Sequence, residues 1–175
     1  ILGLASGGGQ QTPIFRALGA EVVLFDLSDR QLQSERDVAN RERYSIDIIK
    51  GDMTKPLPFA DETFDLIFHP VSNSYIEDVQ FVWNECFRVL KKNGILLAGL
   101  DNGINFLFDE DEEGTELKLV HHLPYNPLKD LDESELEKMF MENDGIQFSH
   151  TIEEQIGGQL KAGFTLTDLF EDYND

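Results

Sequence analysis

A regular alternation of apolar, strand-like runs with segments of helical periodicity constrains the fold of this chain more than any other feature. Predicted strands cover residues 1–4, 21–25, 45–50, 64–68 and 95–100, and predicted helices cover 12–18, 29–43 and 78–90. This alternation is typical of β-α-β crossovers, which place parallel strands in one sheet. We therefore predict an α/β fold: a doubly wound, mostly parallel sheet flanked by helices on both faces.

Local signals support several of these boundaries. Ser28 is a plausible N-cap for the second helix, and the dipeptide Asn93-Gly94 is predicted to end the third helix. The third helix carries its apolar residues, Cys86 among them, at spacings of three and four, which predicts one buried face. Cys86 is therefore expected to be a core residue.

The pattern is less regular beyond residue 100. FDEDEEG is predicted as a charged loop, TELKLVHHL as an exposed strand and DESELEKMFMEN as a short helix, so residues 107–148 form an expected insertion or lid-like element. Helical spacing resumes in TIEEQIGGQLKAGF, where Gly157 and Gly158 suggest close packing, and TLTDLFED (165–172) is predicted as a sixth strand. We expect one domain, 1–175, and a piece of a longer protein because the chain starts inside a strand.

Charge and composition exclude several classes of partner. The chain has 34 acidic and 14 basic residues, for a net charge of -20, so a nucleic-acid backbone would be repelled. No apolar run has membrane length, and a single cysteine excludes an internal disulfide framework. We expect a cytoplasmic protein that binds a small molecule and neither nucleic acid nor a membrane; a homodimer is left open.

Three consecutive glycines follow the first predicted strand directly. Gly7, Gly8 and Gly9 lie between that strand and a helix, where backbone N–H groups can meet an anionic or carboxylate-bearing ligand. Such a loop also occurs where a helix must simply pack closely against a strand, and it suits nucleotides as well. The glycines alone therefore identify no ligand.

Carboxylates occur at the ends of the next two strands. Asp26 ends the second strand, where an acid can accept hydrogen bonds from two ribose hydroxyls, although it could instead cap a helix. Asp52 follows the third strand, where it could accept from an adenine amino group while Met53 covers the ring. The carboxyl ends of parallel strands meet at one edge of a sheet, so these positions are expected to share one crevice.

The segments ILGLASGGG, VVLFDLS, GDMTKPLPFADETFDLIF and ECFRVLKKNGILLAG together resemble the successive motifs of the class I S-adenosylmethionine-dependent methyltransferases. The resemblance covers roughly the first hundred residues. It implies a Rossmann-like fold with a seven-stranded sheet, and S-adenosylmethionine as methyl donor. A nicotinamide dehydrogenase is less well matched, because Thr12 stands where the third glycine of its fingerprint would be.

The resemblance also implies donor-binding residues. It places the methionine end of the donor near the first loop, the ribose at Asp26 and the adenine at Asp52, with the backbone of His69 facing donor and substrate. The residues carried over are Ala5, Ser6, Gly7, Gly9, Asp26, Leu27, Asp52, Met53 and His69. The chain departs from the family at Gly3, where an acid is usual, and at Ala5, where glycine is usual. The contact to the donor's ammonium group therefore stays unassigned.

Catalytic and substrate contacts are predicted on the segment HPVSNSYI. His69 is a candidate general base because its ordinary pKa lies near neutrality, and a structural histidine is the alternative. Asn73 and Tyr75 follow on the same loop and are candidates for orienting the substrate. No metal site is expected: adjacent His121 and His122 would point to opposite faces of a strand, and the acidic run 109–113 lacks calcium-loop spacing.

LASGGGQQ, HPVSNSYI and EEQIGGQLKAGF further resemble a bacterial subgroup of these enzymes, whose members usually begin with an earlier helix and end with a last antiparallel strand. Neither is expected here, so the activity of these residues alone is left open. The leading interpretation is methyl transfer to an unidentified small-molecule acceptor. The alternatives are a non-catalytic adenosyl-ligand-binding protein and, less well supported, an NAD-dependent oxidoreductase.

Overall fold

The computed structural model describes residues 1–110, 116–142 and 145–171. Its main sheet has five strands, all parallel, in the order β3-β2-β1-β4-β5. The strands are β1 (Leu2–Leu4), β2 (Val23–Asp26), β3 (Asp47–Lys50), β4 (Phe64–His69) and β5 (Leu90–Ala98). The predicted parallel sheet is confirmed. Five strands of the implied seven lie in the main sheet of the described residues.

Three helices connect these strands. They are α1 (Thr12–Ala17), α2 (Asp29–Glu42) and α3 (Val79–Val89). The chain moves from β1 to β3 in one direction across the sheet and from β4 to β5 in the other. Since crossovers are right-handed, α1 and α2 cover one face and α3 covers the opposite face. The doubly wound arrangement is therefore confirmed.

The core between the sheet and α3 follows the predicted helix pattern. Trp83 and Cys86 of α3 are fully buried and pack against Leu2, Leu4 and Ile67 of the central strands. Burial raises the pKa of the Cys86 thiol, which is therefore uncharged and unreactive at neutral pH. The prediction that Cys86 is a core residue is confirmed.

Capping fixes where α2 and α3 begin. Ser28 accepts a hydrogen bond from the backbone N–H of Gln31, at 3.3 Å, as predicted for the N-cap of α2. Asp78 does the same for α3, accepting from the N–H groups of Gln80 and Phe81. In both helices the cap therefore satisfies backbone donors of the first turn that have no partner within the helix.

The predicted end of α3 at residue 90 is correct to within one residue, but the predicted role of Asn93-Gly94 as its stop, and the predicted start of β5 at residue 95, are wrong. The helix ends at Val89 and β5 begins at the next residue, so Asn93-Gly94 lies within the strand. Phe64 pairs with Leu90 whereas Leu66 pairs with Ile95, so β5 has three more residues than β4 between the two pairs. Asn93 has a φ of 64°, a left-handed conformation that suits asparagine. The dipeptide Asn93-Gly94, which has the sequence of a turn, thus forms part of a β-bulge in β5.

Smaller elements follow β5. They are β6 (Phe108–Glu110), β7 (Leu117–Leu119), α4 (Pro127–Asp130) and α5 (Glu133–Glu142), and the two strands form an antiparallel pair. The exposed strand in TELKLVHHL and the helix in DESELEKMFMEN are thus confirmed. The charged loop predicted for FDEDEEG is wrong at 108–110, which form β6, and its residues 111–114 lie outside the described residues.

The C-terminal segment packs on α3. A π-helical turn (Glu153–Gly157) leads into α6 (Gly158–Ala162), and the Trp83 indole N–H donates to the carbonyl of Glu154 at 3.2 Å. A Cβ on Gly158 would lie 2.8 Å from the Trp83 ring, so this glycine does permit close packing. The predicted strand at 165–172 is wrong for 165–171, which have no regular structure, and residue 172 lies outside the described residues.

Across the part of the chain that the structure describes, no helix combines the length and apolar character needed to cross a bilayer.

Candidate functional site

The strand order of the main sheet reverses between β1 and β4. From β1 the chain continues outward to β2 and β3, and from β4 it continues in the opposite direction to β5. The loops at the carboxyl ends of these two central strands therefore separate and leave a crevice, which is where ligands bind in sheets of this type. The glycine loop follows β1 directly at this point.

The three predicted strand ends are in direct contact. The backbone N–H of Gly7 donates to Oδ2 of Asp26 at 3.0 Å, which joins the glycine loop to the end of β2. The N–H of Gly51 donates to the backbone carbonyl of Asp26 at 3.0 Å, which brings Asp52 beside it from the end of β3. The expectation that these positions share one edge of the sheet is thus correct.

Asp26 is 8% exposed, and its carboxylate already has two backbone donors. Oδ2 accepts from Gly7, and Oδ1 accepts from the N–H of Ser28 at 2.8 Å. A carboxylate offers about four acceptor positions, so each oxygen retains capacity for one further donor. Asp26 therefore holds the loop in place and can still accept from two hydroxyl groups.

Asp52 and its neighbours differ in accessibility. Oδ1 of Asp52 accepts from the N–H and hydroxyl of Thr54, at 2.8 and 2.7 Å, and Oδ2 has no partner among the described residues. Leu27 is 60% exposed, while Met53 is half-buried against the core. The edge beyond β2 and β3 thus offers a carboxylate oxygen beside an exposed apolar side chain.

The glycine loop lies along one face of α2. A Cβ on Gly7 would come within 2.6 Å of the Gln31 side chain, and one on Gly9 within 2.5 Å of Val38. Between these contacts, the Ser34 hydroxyl donates to the carbonyl of Gly8 at 3.0 Å. Gly8 and Gly9 also have φ values of +112° and +76°. Close packing of the loop against α2, the alternative explanation for the three glycines, is therefore one reason why glycine occupies these positions.

The two departures from the family pattern, Gly3 and Ala5, have different local causes. A Cβ on Gly3 would lie 2.5 Å from Oγ of Ser6, so the buried Ser6 hydroxyl occupies the volume that a side chain at position 3 would enter. Ala5, between them, has a φ of 49°, where an L-residue is strained. The loop thus keeps a left-handed conformation that glycine would adopt more easily.

His69 is fully buried at the end of β4. Its Nδ1 lies 2.9 Å from the carbonyl of Leu4, and its ring packs edge-on against Trp83. Burial, opposed in part by the bond to Leu4, lowers the pKa of the imidazole, so it is neutral and Nδ1–H is the donor. A general base must reach the proton that it removes. His69 has no exposed surface, and its Nε2 has no hydrogen-bond partner among the described residues, so the geometry favours the structural alternative over a general base.

Ser72 is a contact that the sequence did not reveal. The Ser72 hydroxyl donates to the carbonyl of Ala5. The carbonyl oxygen of Pro70 lies 2.9 Å from Oγ of Ser72. With the bond from His69 to Leu4, this joins β4 to β1 beyond the last paired residues, Gly3 and Phe68. Ser72 is the first of the two serines in HPVSNSYI, and nothing in the spacing of that segment indicated a hydrogen bond to residue 5.

The two predicted substrate contacts lie in different environments. Asn73 is buried, and its amide donates to Oε1 of Gln155 at 3.0 Å, so it cannot orient a substrate through an exposed side chain. This prediction is corrected: Asn73 holds the loop after β4 against the π-helical turn. Tyr75 is 52% exposed, and its hydroxyl lies 3.4 Å from Nε2 of Gln147, so it remains available to a ligand.

A separate cavity of about 930 Å³ runs along the exposed side of β5. It is lined by parts of α3, β5 and the segment 163–168, and none of the predicted site residues contributes to it. The described residues contain no cluster of three side chains able to hold a metal ion.

Comparison with known proteins places this geometry in a family. The family model described as "Methyltransferase domain" matches residues 2–98. The Bacillus subtilis protein "Uncharacterized methyltransferase YbaJ" is 44% identical over 173 residues, covering 98% of this chain and 68% of that protein. The demethylmenaquinone methyltransferase of Renibacterium salmoninarum is 33% identical over 98 residues, 56% of this chain and 39% of that enzyme.

A solved structure shares the fold over nearly the whole chain. The S-adenosylmethionine-dependent methyltransferase from Mesorhizobium loti superposes with a TM-score of 0.73 at 19% identity, covering 94% of this chain and 73% of that one. The family match, the extensive relative and the sheet topology agree. The chain belongs to the methyltransferase-domain family and has the fold of the S-adenosylmethionine-dependent methyltransferases.

Proposed function

We propose that the crevice between β1 and β4 binds S-adenosylmethionine and that the protein transfers its methyl group to a small-molecule acceptor. The observation that carries the proposal is the direct contact of three strand ends through Gly7, Asp26 and Gly51. These contacts bring backbone N–H groups and the ends of β2 and β3 to one edge of the sheet, which supports assigning Asp26 to the ribose and Asp52 to the adenine.

The residues fit such a donor at both ends. Asp26 keeps two acceptor positions for ribose hydroxyls, and the unpartnered Oδ2 of Asp52 suits an adenine amino group beside the exposed Leu27. At the other end the loop offers the Ser6 hydroxyl, for which no hydrogen bond is found among the described residues. The acid usual in the family is absent at Gly3, so no carboxylate at that position would meet the donor's ammonium group.

When bound, S-adenosylmethionine supplies a methyl group already activated by its sulfonium. The chain then has to orient the two reactants and exclude water, and orientation alone can give effective molarities of roughly 10⁵ M or more. His69 contributes by holding the end of β4 to Leu4, in neutral form. Tyr75, exposed on the loop after β4, is the residue we assign to acceptor contact.

The acceptor is a small molecule, which the negative surface favours over nucleic acid. Relatives named for quinone precursors and sterols match only about half of this chain, so their names do not identify its acceptor. These compound classes provide a first panel of acceptors to test.

Calorimetric titration tests the donor half of the proposal. S-adenosylhomocysteine should bind with one site per chain, and NAD⁺ should give no binding heat. Binding of NAD⁺ without S-adenosylhomocysteine would contradict the proposal and favour an oxidoreductase.

Transfer is tested separately with methyl-labelled donor and a panel of phenols, quinols, sterols and amines. Label should appear in a small-molecule product, and Asp26→Ala should abolish its formation at low donor concentration. Donor binding without label transfer to any class, in the full-length protein, would favour a non-catalytic adenosyl-binding role.

A further inference from the structure

Helix α2 presents a row of side chains to the back of the glycine loop. Gln31, Ser34, Glu35 and Val38 are spaced by three, four and seven residues, so they lie on one face of the helix. Each contacts a successive part of the loop: Gln31 meets Gly7, Ser34 bonds to Gly8, Val38 meets Gly9 and Glu35 bonds to Thr12. The glycine loop therefore packs along this face of α2, and these contacts constrain its conformation.

Glu35 is the unusual member of this row. It has no exposed surface, and each carboxylate oxygen accepts one hydrogen bond from a hydroxyl group. Thr12 Oγ1 donates to Oε2 at 3.1 Å, and Tyr44 Oη donates to Oε1 at 2.9 Å. No ion pair to Glu35 occurs among the described residues. Burying a carboxylate with neutral donors alone is costly, so an apolar residue would serve packing better.

The two partners of Glu35 lie in different places. Thr12 begins α1 and ends the glycine loop, and it is itself buried. Tyr44 lies beyond the C-terminal end of α2, away from the strand ends that form the crevice. One carboxylate oxygen therefore acts on the loop, and the other acts on the far end of the helix.

We propose that Glu35 is a positioning residue for donor binding: through Thr12 it fixes the exit of the glycine loop, and with Ser34 it sets the direction of the loop's N–H groups. This inference rests on the proposed function. Because Glu35 has no exposed surface, it would act on the donor only indirectly. Its effect on affinity passes through the loop, whose entry is fixed by Asp26 and whose exit is fixed by Thr12.

Substitutions at the two partners separate positioning from stability. Thr12→Val removes the loop-side bond without changing side-chain shape, and Tyr44→Phe removes the other bond. Both should lower the melting temperature. Only Thr12→Val should weaken binding of S-adenosylhomocysteine, by about tenfold as expected for one bond to a charged group. Thr12→Ser keeps the hydroxyl and should restore the wild-type Kd.

Calorimetry is carried out at a temperature where every variant is folded by circular dichroism. Equal Kd values for Thr12→Val and wild-type protein would overturn the inference, as would equal losses of affinity in Thr12→Val and Tyr44→Phe. Should Thr12→Val not fold, Glu35→Gln provides the second test. This variant keeps one acceptor oxygen, so it should bind S-adenosylhomocysteine measurably but more weakly than wild-type protein does. Failure of wild-type protein to bind S-adenosylhomocysteine would overturn the proposed function, and this inference with it.

Discussion

The carboxylate of Asp26 accepts a hydrogen bond from the backbone N–H of Gly7, at 3.0 Å, across the gap between the ends of β2 and β1. The same side chain that is assigned to the ribose therefore also fixes the loop assigned to the methionine end. Under the proposed function, donor affinity and loop conformation are therefore coupled through Asp26. Any substitution at Asp26 changes both at once.

Asp26→Ala should weaken S-adenosylhomocysteine binding by about 1.5–3 kcal/mol, because hydrogen bonds to a charged acceptor are lost. It should also lower the unfolding free energy, because the N–H groups of Gly7 and Ser28 lose their acceptor. Calorimetry and urea denaturation measure the two effects. Asp29→Ala is the matched control, since Asp29 is exposed and its ion pair is with Lys50, also on the surface. An unchanged Kd in Asp26→Ala would remove Asp26 from the site.

Ala5→Gly should stabilise the protein by up to about 1 kcal/mol, because glycine adopts a φ of 49° without the strain that an L-residue has there. The converse control is Gly19→Ala. Gly19 has a φ of +87°, and no atom lies within 4 Å of the place that a Cβ would take, so that variant isolates backbone strain. The unfolding free energy of Gly19→Ala should be lower than that of wild-type protein by about 1 kcal/mol. Destabilisation by Ala5→Gly would mean that the Ala5 methyl group contributes more than the strain costs.

The buried His69 makes stability depend on pH. Its pKa in the folded chain is lowered below the ordinary value of 6.5, chiefly by burial, so below that pH the unfolded chain binds more protons. The unfolding free energy should therefore fall as the pH drops from about 7.5 to about 5.5. Urea denaturation across this range measures the slope, which should be smaller in His69→Gln. Equal slopes in the two proteins would contradict the buried, neutral state.

Gln155 joins three segments that follow β4, follow β5 and precede the π-helical turn. Its amide donates to the carbonyls of Asp101 and His150, at 2.9 and 3.0 Å, and accepts from Asn73. Gln155→Leu should lower the unfolding free energy by about 1–3 kcal/mol for each buried group left unpaired. Gln159→Leu, on the next turn, is the control. Similar losses in both variants would show that the network adds nothing beyond helix packing.

Strand ends were predictable because period and topology determine them. An apolar run followed by Asp26 or by Gly51-Asp52 indicates where a strand stops, and parallel pairing then brings the ends together. The direction of a single side chain was not predictable in this way. His69 and Asn73 lie in the predicted segment, yet both turn into the protein because Leu4 and Gln155 offer partners there.

Other errors arose where long-range contacts override local signals. Asn93-Gly94 has the sequence of a turn, but pairing with β4 continues on both sides of it, so the dipeptide is absorbed as a bulge. The buried Glu35 was unrecognisable because its two partners, Thr12 and Tyr44, are 23 and 9 residues away. Contacts of this kind require the fold to be known.

The proposed function requires that an S-adenosyl ligand occupies the crevice formed by Ala5–Gly9, Asp26 and Asp52. Amide chemical-shift mapping with S-adenosylhomocysteine tests it most directly. The largest shifts are expected at residues 5–9, 26–28 and 51–53. Shifts confined to the cavity along β5, at residues 87–96 and 163–168, would contradict it, and so would the absence of any shift at saturating ligand.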